Sequence, residues 1–296
     1  MLAAQRLHAD DTTVPVLAKY KTDTGRIWTY VRDDRPWGSD APSAALFYYS
    51  RDRRGENPQA HLATYTGILQ ADAYAGYDAL LAPGRAPTPL KRALCWAHVR
   101  RYFFELADIA ANAKRRKGAA NVSPMALEAV QRIDRVFEIE RNITGKSTQE
   151  RLDMRQQLAA TVVVDLETWM RDNRAQLSRH DPVAKAMDYI LKDWSAFTAF
   201  LGDGRICLSN NVAERALRGI ALGRKSWLFA GSDRDGQRAA FMYTLIGTAK
   251  LGDVDPQAWL ADVLARINDI PQSRLYELLP WNWRNACQTA DPALAA

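Results

Sequence analysis

The stretch RLHADDTTVPVL, residues 6–17, sets β-branched and apolar side chains around an acidic centre, Asp10-Asp11. Its composition favours an extended strand, in which side chains alternate with period two, so that His8, Asp10 and Thr12 share one side. An ionised carboxylate inside a strand pattern is costly unless it is paired or bound to a metal. Asp10 is therefore a candidate functional group, and the fold question becomes what else the chain brings to it.

Working outward, KTDTG (residues 21–25) makes a turn, and IWTYV (27–31) is apolar on both faces, as a central strand is. DRPWGSDAPS is a loop and ALFYYS (45–50) a third strand. Asn57 as cap and Pro58 at the first helical position start a short helix, which Gly67 ends. ILQAD (68–72) is a fourth strand, AGYDALLA a second short helix, and KRALCWAHVRRYFFEL a strand running into a helix. The order is three strands, helix, strand, helix, strand, which describes a mixed sheet with helices packed on it.

From about residue 102 to 206 the strand signals stop. Ser123-Pro124 opens one helix, and Thr148–Leu177 reads as a second, with Leu152, Leu158, Val162, Leu166 and Trp169 at helical spacing. Asp181-Pro182 opens a third that reaches Leu201. GDGRICLS then breaks the chain before NNVAERALR (210–218), a helical run in which Asn210 and Asn211 are candidate caps. GRKSWLFAGS (223–232) contains a strand-like apolar run, and Asp255-Pro256 caps a late helix. The division predicted is 1–101 and 207–252 for the two parts of one α/β core, 102–206 for a helical insertion between them, and 253–296 for a C-terminal helical segment.

Bulk properties narrow the function classes. A chain of 296 residues, 47% hydrophobic, can bury a sizeable core. Its net charge of +6 leans toward a polyanionic partner. No run approaches the roughly 18 apolar residues of a membrane span, and the N-terminus lacks a signal-peptide core, so the chain reads as cytoplasmic with no membrane partner. Cys95, Cys207 and Cys287 are odd in number and widely spaced, which argues against a disulfide framework. Cys95 and His98 form C-x-x-H, half of a zinc site; His8, His61 and the other cysteines offer no matching second half.

Two further acids resemble Asp10 in their placement. Asp72 ends a strand whose other residues are core-like; an acid there caps the following turn or serves a site. Glu214 stands among Arg215 and Arg218; with Arg218 at i, i+4 it forms a surface ion pair, or else it faces a metal and leaves the arginines to meet phosphates. Three carboxylates from a first strand, a fourth strand and a late helix suit hard divalent ions, and two such ions about 3.5–4 Å apart can drive a phosphodiester displacement.

These segments together carry a resemblance. LHADDTTVPVL, ILQADAYAGY, CWAHVRRYFFEL, NNVAERALRGIALGRKSWLFAGS and ELLPWNW, in order from about residue 7 to 284, are similar to transposases of the insertion sequence 66 family, the TnpC type. The resemblance implies an α/β, RNase H-like mixed sheet flanked by helices and interrupted by a mainly helical insertion. It implies a DDE catalytic core that cleaves DNA strands and transfers them. Asp10, Asp72 and Glu214 would be the catalytic acids and metal ligands, with two Mg²⁺ per site that Mn²⁺ can replace. The implied partners are DNA, as transposon ends and target, further copies of the chain on that DNA, and accessory proteins from the same element; the implied location is the nucleoid. Asp11 replaces the family's usual Glu and Gly219 its usual Pro. Nine residues precede Asp10, so the likeness is to the catalytic portion without the family's N-terminal DNA-binding elements.

Within that frame, Arg215, Arg218, Arg224 and Lys225 are expected to contact DNA phosphates, as are Arg100 and Arg101. The C-x-x-H also resembles a motif near the active site of hAT-type transposases, which gives His98 a phosphate-contacting or supporting role. Asp11, Asn210 and Asn211 are secondary candidates. Trp169 and Trp194 at helical spacing read as core rather than as base-stacking platforms. The same residues would also fit a catalytically idle DNA-binding remnant of a transposase, or an RNase H-like nuclease that cuts without joining.

Overall fold

The computed structural model describes residues 1–107 and 123–284. Five strands form one mixed sheet, β1 (Arg6–Ala18), β2 (Lys21–Arg32), β3 (Ala44–Ser50), β4 (Ile68–Ala71) and β5 (Lys91–Leu94), in the order β3-β2-β1-β4-β5. β1 to β3 form an antiparallel meander, with Asp10 opposite Thr29. β4 runs parallel to β1, pairing Arg6 with Ile68 and His8 with Gln70, and β5 runs parallel to β4. The middle strand is thus β1, whose Arg6–Ala9 stretch is buried on both faces, as is IWTYV in its neighbour β2.

The helices on the connections follow the sequence pattern with local changes. Gly55, not Asn57, occupies the cap position of α1 (Glu56–His61), because the Asn57 amide is used to tie down the preceding turn through Asp52. After β4 come α2 (Asp78–Leu81), then β5 and α3 (Trp96–Ala107), which runs across residue 101. Among the described residues that follow come α4 (Pro124–Asn142), α5 (Thr148–Met154), α6 (Ala160–Gln176) and α7 (Pro182–Lys192). The helix read over 148–177 is continuous but passes through a π turn at Arg155–Ala159. The third helix ends at Lys192, short of Leu201, and α8 (Trp194–Phe197) and a 3₁₀ turn complete the path. Then come α9 (Asn211–Trp227), α10 (Asp233–Leu251) and α11 (Pro256–Arg266).

The strand-like reading of the run after Arg224 is corrected. α9 extends through Arg224 and Lys225 to Trp227, and only Ala230 bridges to Val16 of β1. Gly219 lies inside α9.

Alternation along β1 sorts the core. Leu7 and Ala9, with Trp28 and Tyr30 of β2, pack beneath Leu62, Tyr65, Tyr77 and Leu80 on one face. Val14 and Val16, with Ile27 and Val31, pack on the other against Val212, Ala213, Leu217 and Ile220 of α9. Each Val, Leu or Ile among them contributes about 1.5–3 kcal/mol on burial. α10 lies close on β3: a Cβ at Gly236 would stand 2.6 Å from the Tyr49 ring, so only glycine permits the approach. There the Thr244 and Thr248 hydroxyls accept the β3 amides of Phe47 and Ala45 at 2.9 and 3.1 Å.

The helical region packs against β5 and α3 in one apolar cluster that contains Trp96, Phe103, Ile133, Met170, Met187 and Phe197. Two fully buried arginines fasten it to the segment leading into α9. Arg155 makes a two-pronged ion pair with Glu140 at 2.6 and 2.8 Å and donates to the carbonyls of Phe200, Asp203 and Ile206. Arg151 donates to the Gly204 carbonyl at 2.8 Å. Trp194 packs edge-on against Trp96 and Trp169 lies under Arg132, so both tryptophans serve the core. Among the described residues no helix is long and apolar enough to cross a membrane.

Candidate active site

The face of β1 that carries His8, Asp10 and Thr12 is the face α9 crosses, and the crossing is pinned by one residue. Asn210 precedes α9 yet makes no capping bond; its buried amide donates to the Ala9 carbonyl at 2.8 Å and its oxygen meets His8 Nδ1 at 3.0 Å. This corrects the expectation that Asn210 caps the helix, and Asn211 is its first residue. The latch places Glu214, one turn on, over β1.

Asp72 reaches the same place from β4. The parallel register pairs His8 with Gln70, so two residues further along, Asp72 comes level with Asp10. Its side chain accepts the Tyr74 amide at 3.2 Å. Thus the end of a buried strand turns directly beside β1, as parallel strand ends do at ligand sites.

Asp10 shows the electrostatic result of this convergence. Its pKa is pushed up to about 7, first by burial and then, against the opposing pull of the Asp11 amide, by the charges of Asp72, Asp11 and Glu214. Crowded hard oxygen donors that repel one another are the chemistry a divalent cation relieves, so the residues present fit Mg²⁺ or Mn²⁺. A cavity of about 560 Å³ opens beside them, lined by Asp10, Asp11, Thr12, Glu214, Arg101, Arg215 and Arg218.

Asp11 behaves differently because it points to the opposite face. Its almost fully buried carboxylate is clasped by Arg26 at 2.9 Å and by Arg53 at 2.9 Å. Arg53 also reaches Asp72 at 3.7 Å and stacks over the Tyr74 ring at 4.0 Å. Neither Arg26 nor Arg53 stands out in the sequence, since they lie 15 and 42 residues from Asp11 and no spacing rule connects them. The pairing charge-balances Asp11, whereas Asp10 is left among the charges of neighbouring acids.

Glu214 does not form the ion pair with Arg218 that its spacing allows. Arg101 of α3 approaches Glu214 Oε2 at 3.3 Å, and His98 Nε2 stands 3.3 Å from Oε1. Arg215 and Arg218 remain exposed on the cavity wall. Of the other predicted cations, Arg100 is occupied by Asp134 of α4 at 2.6 and 2.9 Å, and Arg224 donates to the Thr13 carbonyl and hydroxyl at 2.6 Å. Lys225 is exposed one residue beyond it.

A second grouping was invisible to spacing alone. Cys95 Sγ, a His98 ring nitrogen and a Glu214 carboxylate oxygen lie within 4.8 Å of one another, the only such set of three donors among the described residues. Asp10, Asp72 and Glu214 are not drawn together that closely. Cys95 and Cys207 are free thiols, and Cys287 lies outside the described residues. Burial pushes the Cys95 thiol up, while the amides of Asn210, His98 and Ala97 pull it down. His8 and His61 sit elsewhere, His8 against Asn210 and His61 against Tyr30 and Tyr48.

Similar proteins include the uncharacterized protein y4hP of Sinorhizobium fredii (strain NBRC 101917 / NGR234), 56% identical over 287 residues that make up 97% of this chain and 52% of that protein. The uncharacterized protein y4jD of the same strain is 36% identical over 285 residues, 94% of this chain and 54% of that protein. The chain therefore spans about half the length of these relatives. Residues 1–238 match the profile described as Transposase IS66 family, and residues 244–281 match the IS66 C-terminal element. Nearly the whole chain, all three candidate acids included, lies within these matches, and it belongs to the IS66 family of transposases.

Proposed function

We propose that this chain is the catalytic core of a DDE transposase, an RNase H-like sheet interrupted by a helical insertion, which cleaves DNA strands and transfers them. The observation that carries the proposal is that Asp10 and Glu214 line one cavity walled by arginines, with the charge of Asp72, from a third element, acting on Asp10. Divalent ions, Mg²⁺ or Mn²⁺, two per site, would be held by these acids and supply activation of the attacking oxygen and stabilisation of the leaving 3′ oxygen. Two ions do not require the three carboxylates to meet at one point.

The protein's own groups have distinct tasks in this reading. Asn210 sets the height of α9 over β1 and so the reach of Glu214. Arg215 and Arg218, exposed and unengaged by Glu214, bind the phosphates on either side of the scissile bond, and Lys225 extends that track. Arg101 and His98 orient Glu214 from behind. Arg100 and Arg224 are structural: each is already committed to another element of the fold. Transposon ends and target as substrate, association of several copies on DNA and help from accessory proteins belong to the same proposal.

The test is cleavage and joining of labelled DNA in Mg²⁺ or Mn²⁺ by the parent, Asp72→Asn and Glu214→Gln. Cleavage and joining by the parent, both lost in folded variants, support the proposal. Cleavage without joining would make the protein a nuclease. Equal activity in parent and variants would remove the acids from the mechanism.

A further inference from the structure

We infer that Cys95, His98 and Glu214 form a site for one thiophilic divalent ion of the zinc class, and that this ion withdraws Glu214 from the hard-ion site at Asp10 and Asp72. The second half of the inference rests on the proposed role of Glu214; the first does not.

The donors come from two elements that are fastened to each other. Cys95 sits where β5 hands over to α3, and its sulfur accepts the Asn210 amide at 3.2 Å. The Trp96 amide is bonded to the Leu208 carbonyl at 2.8 Å, so the start of α3 and the approach to α9 are tied twice. Cys95 and His98, three residues apart across the first turn of α3, therefore face Glu214 on a preset framework. Their donor atoms lie within 4.8 Å of one another; tetrahedral ligands that share an ion at about 2.0–2.3 Å stand roughly 3.3–3.8 Å apart, so a contraction of at most about 1.5 Å completes the site.

Orphaned polar atoms mark the same spot. Glu214 Oε1 and His98 Nδ1 are buried without a hydrogen-bond partner. The His98 Nε2 contact to Oε1, at 3.3 Å, is close without being a hydrogen bond. Leaving such buried atoms unpaired is destabilising, and a coordinated cation would satisfy Oε1 directly while fixing the imidazole. Arg101 competes only for the other carboxylate oxygen, Oε2.

Donor softness decides the ion. A thiolate with an imidazole and a single carboxylate selects zinc, or cobalt in its place, over Mg²⁺, which prefers oxygen donors alone. Three protein ligands leave a fourth position open, which a water or a phosphate oxygen can take. Glu214 is shared between the two sites, and occupancy of one disfavours the other.

The experiment is titration of the purified metal-free protein with Co²⁺, followed by sulfur-to-cobalt charge-transfer absorption. The parent and the Cys207→Ser/Cys287→Ser double variant are expected to develop the band at one equivalent and to lose it on adding Zn²⁺. Cys95→Ser should lack the band, and His98→Gln, with the thiol intact, should need at least tenfold more Co²⁺. Absence of the band in the parent, or its persistence in Cys95→Ser, overturns the site. Asp10→Asn separates this from the proposed catalysis: it should keep the band while losing Mg²⁺-dependent cleavage. In the cleavage assay, Zn²⁺ should inhibit the parent, and Cys95→Ser should need at least tenfold more Zn²⁺ for the same fractional loss of its own zinc-free activity. Equal sensitivity of the two would refute the competition for Glu214.

Discussion

Replacing Asp10 by Asn should stabilise the metal-free protein, a result opposite to that of most changes at buried polar positions. In the fold the Asp10 carboxyl titrates at about 7 instead of 3.8, chiefly because burial and the neighbouring acids oppose its charge. At about 1.4 kcal/mol for each tenfold change, ionised Asp10 costs the fold about 4 kcal/mol. The sign follows from which state binds the proton. Below 3.8 both states are protonated and the cost is absent; between 3.8 and about 7 the unfolded chain releases a proton that the fold retains, and the cost grows; above 7 it is complete. Asparagine keeps the acceptor that Asp10 offers the Asp11 amide at 2.8 Å and carries no charge. Urea unfolding in EDTA should therefore show Asp10→Asn more stable than the parent by about 2–4 kcal/mol at pH 8, with the gap closing toward pH 4. Added Mg²⁺ should narrow the pH 8 gap by stabilising only the parent. Equal stability at pH 8, or a gap that does not change with pH, would refute the account of Asp10 as a strained acid awaiting a cation.

Three other outcomes follow from the packing around the site. Asn210→Ala leaves the Ala9 carbonyl and the His8 ring without their partner, so it should cost about 2–3 kcal/mol in urea unfolding and lower cleavage even where the protein remains folded. His8 is held neutral, its pKa well below 6.5 because of burial and the nearby Arg6 charge. As pH falls below 6.5 the unfolded chain gains a proton that the fold refuses, and the parent should lose about 1–2 kcal/mol more than His8→Gln between pH 7 and pH 5. Glu140→Gln removes the charge that faces the buried Arg151 and Arg155, and thermal unfolding should report a loss of about 3–5 kcal/mol with cleavage per folded molecule nearly unchanged.

How far the sequence could be read depended on the range of the interaction involved. Strand and helix order was legible because period-two alternation in residues 6–17 and 45–50 and Pro-led caps at Ser123, Asp181 and Asp255 are local signals. The three acids could be picked out as candidates because carboxylates stand out in a strand, at a strand end and among helix arginines, although Asp72 and Glu214 also had local readings, a turn cap and an ion pair. Where local rules were applied to residues with distant partners, they misassigned the bond. Asn210 has the residue type of a cap, yet its amide serves β1, 201 residues away. Glu214 has the spacing for Arg218, yet it meets Arg101 and His98 of α3. Arg100 and Arg224, candidates for DNA contacts, also meet partners that no local rule gives, Asp134 and Thr13.

What the sequence by itself determined was the succession of elements and the kinds of chemistry available, since propensity, capping and hydrophobic period act within a few residues. Tertiary structure decided which of two adjacent aspartates is balanced by arginines and which is left crowded among acids, and which side of Glu214 a cysteine and a histidine approach. Those outcomes depend on the pleat of β1, the parallel register of β4 and the crossing of α9. Burial then turns small differences in position into large differences in charge stability, because little water remains to screen them.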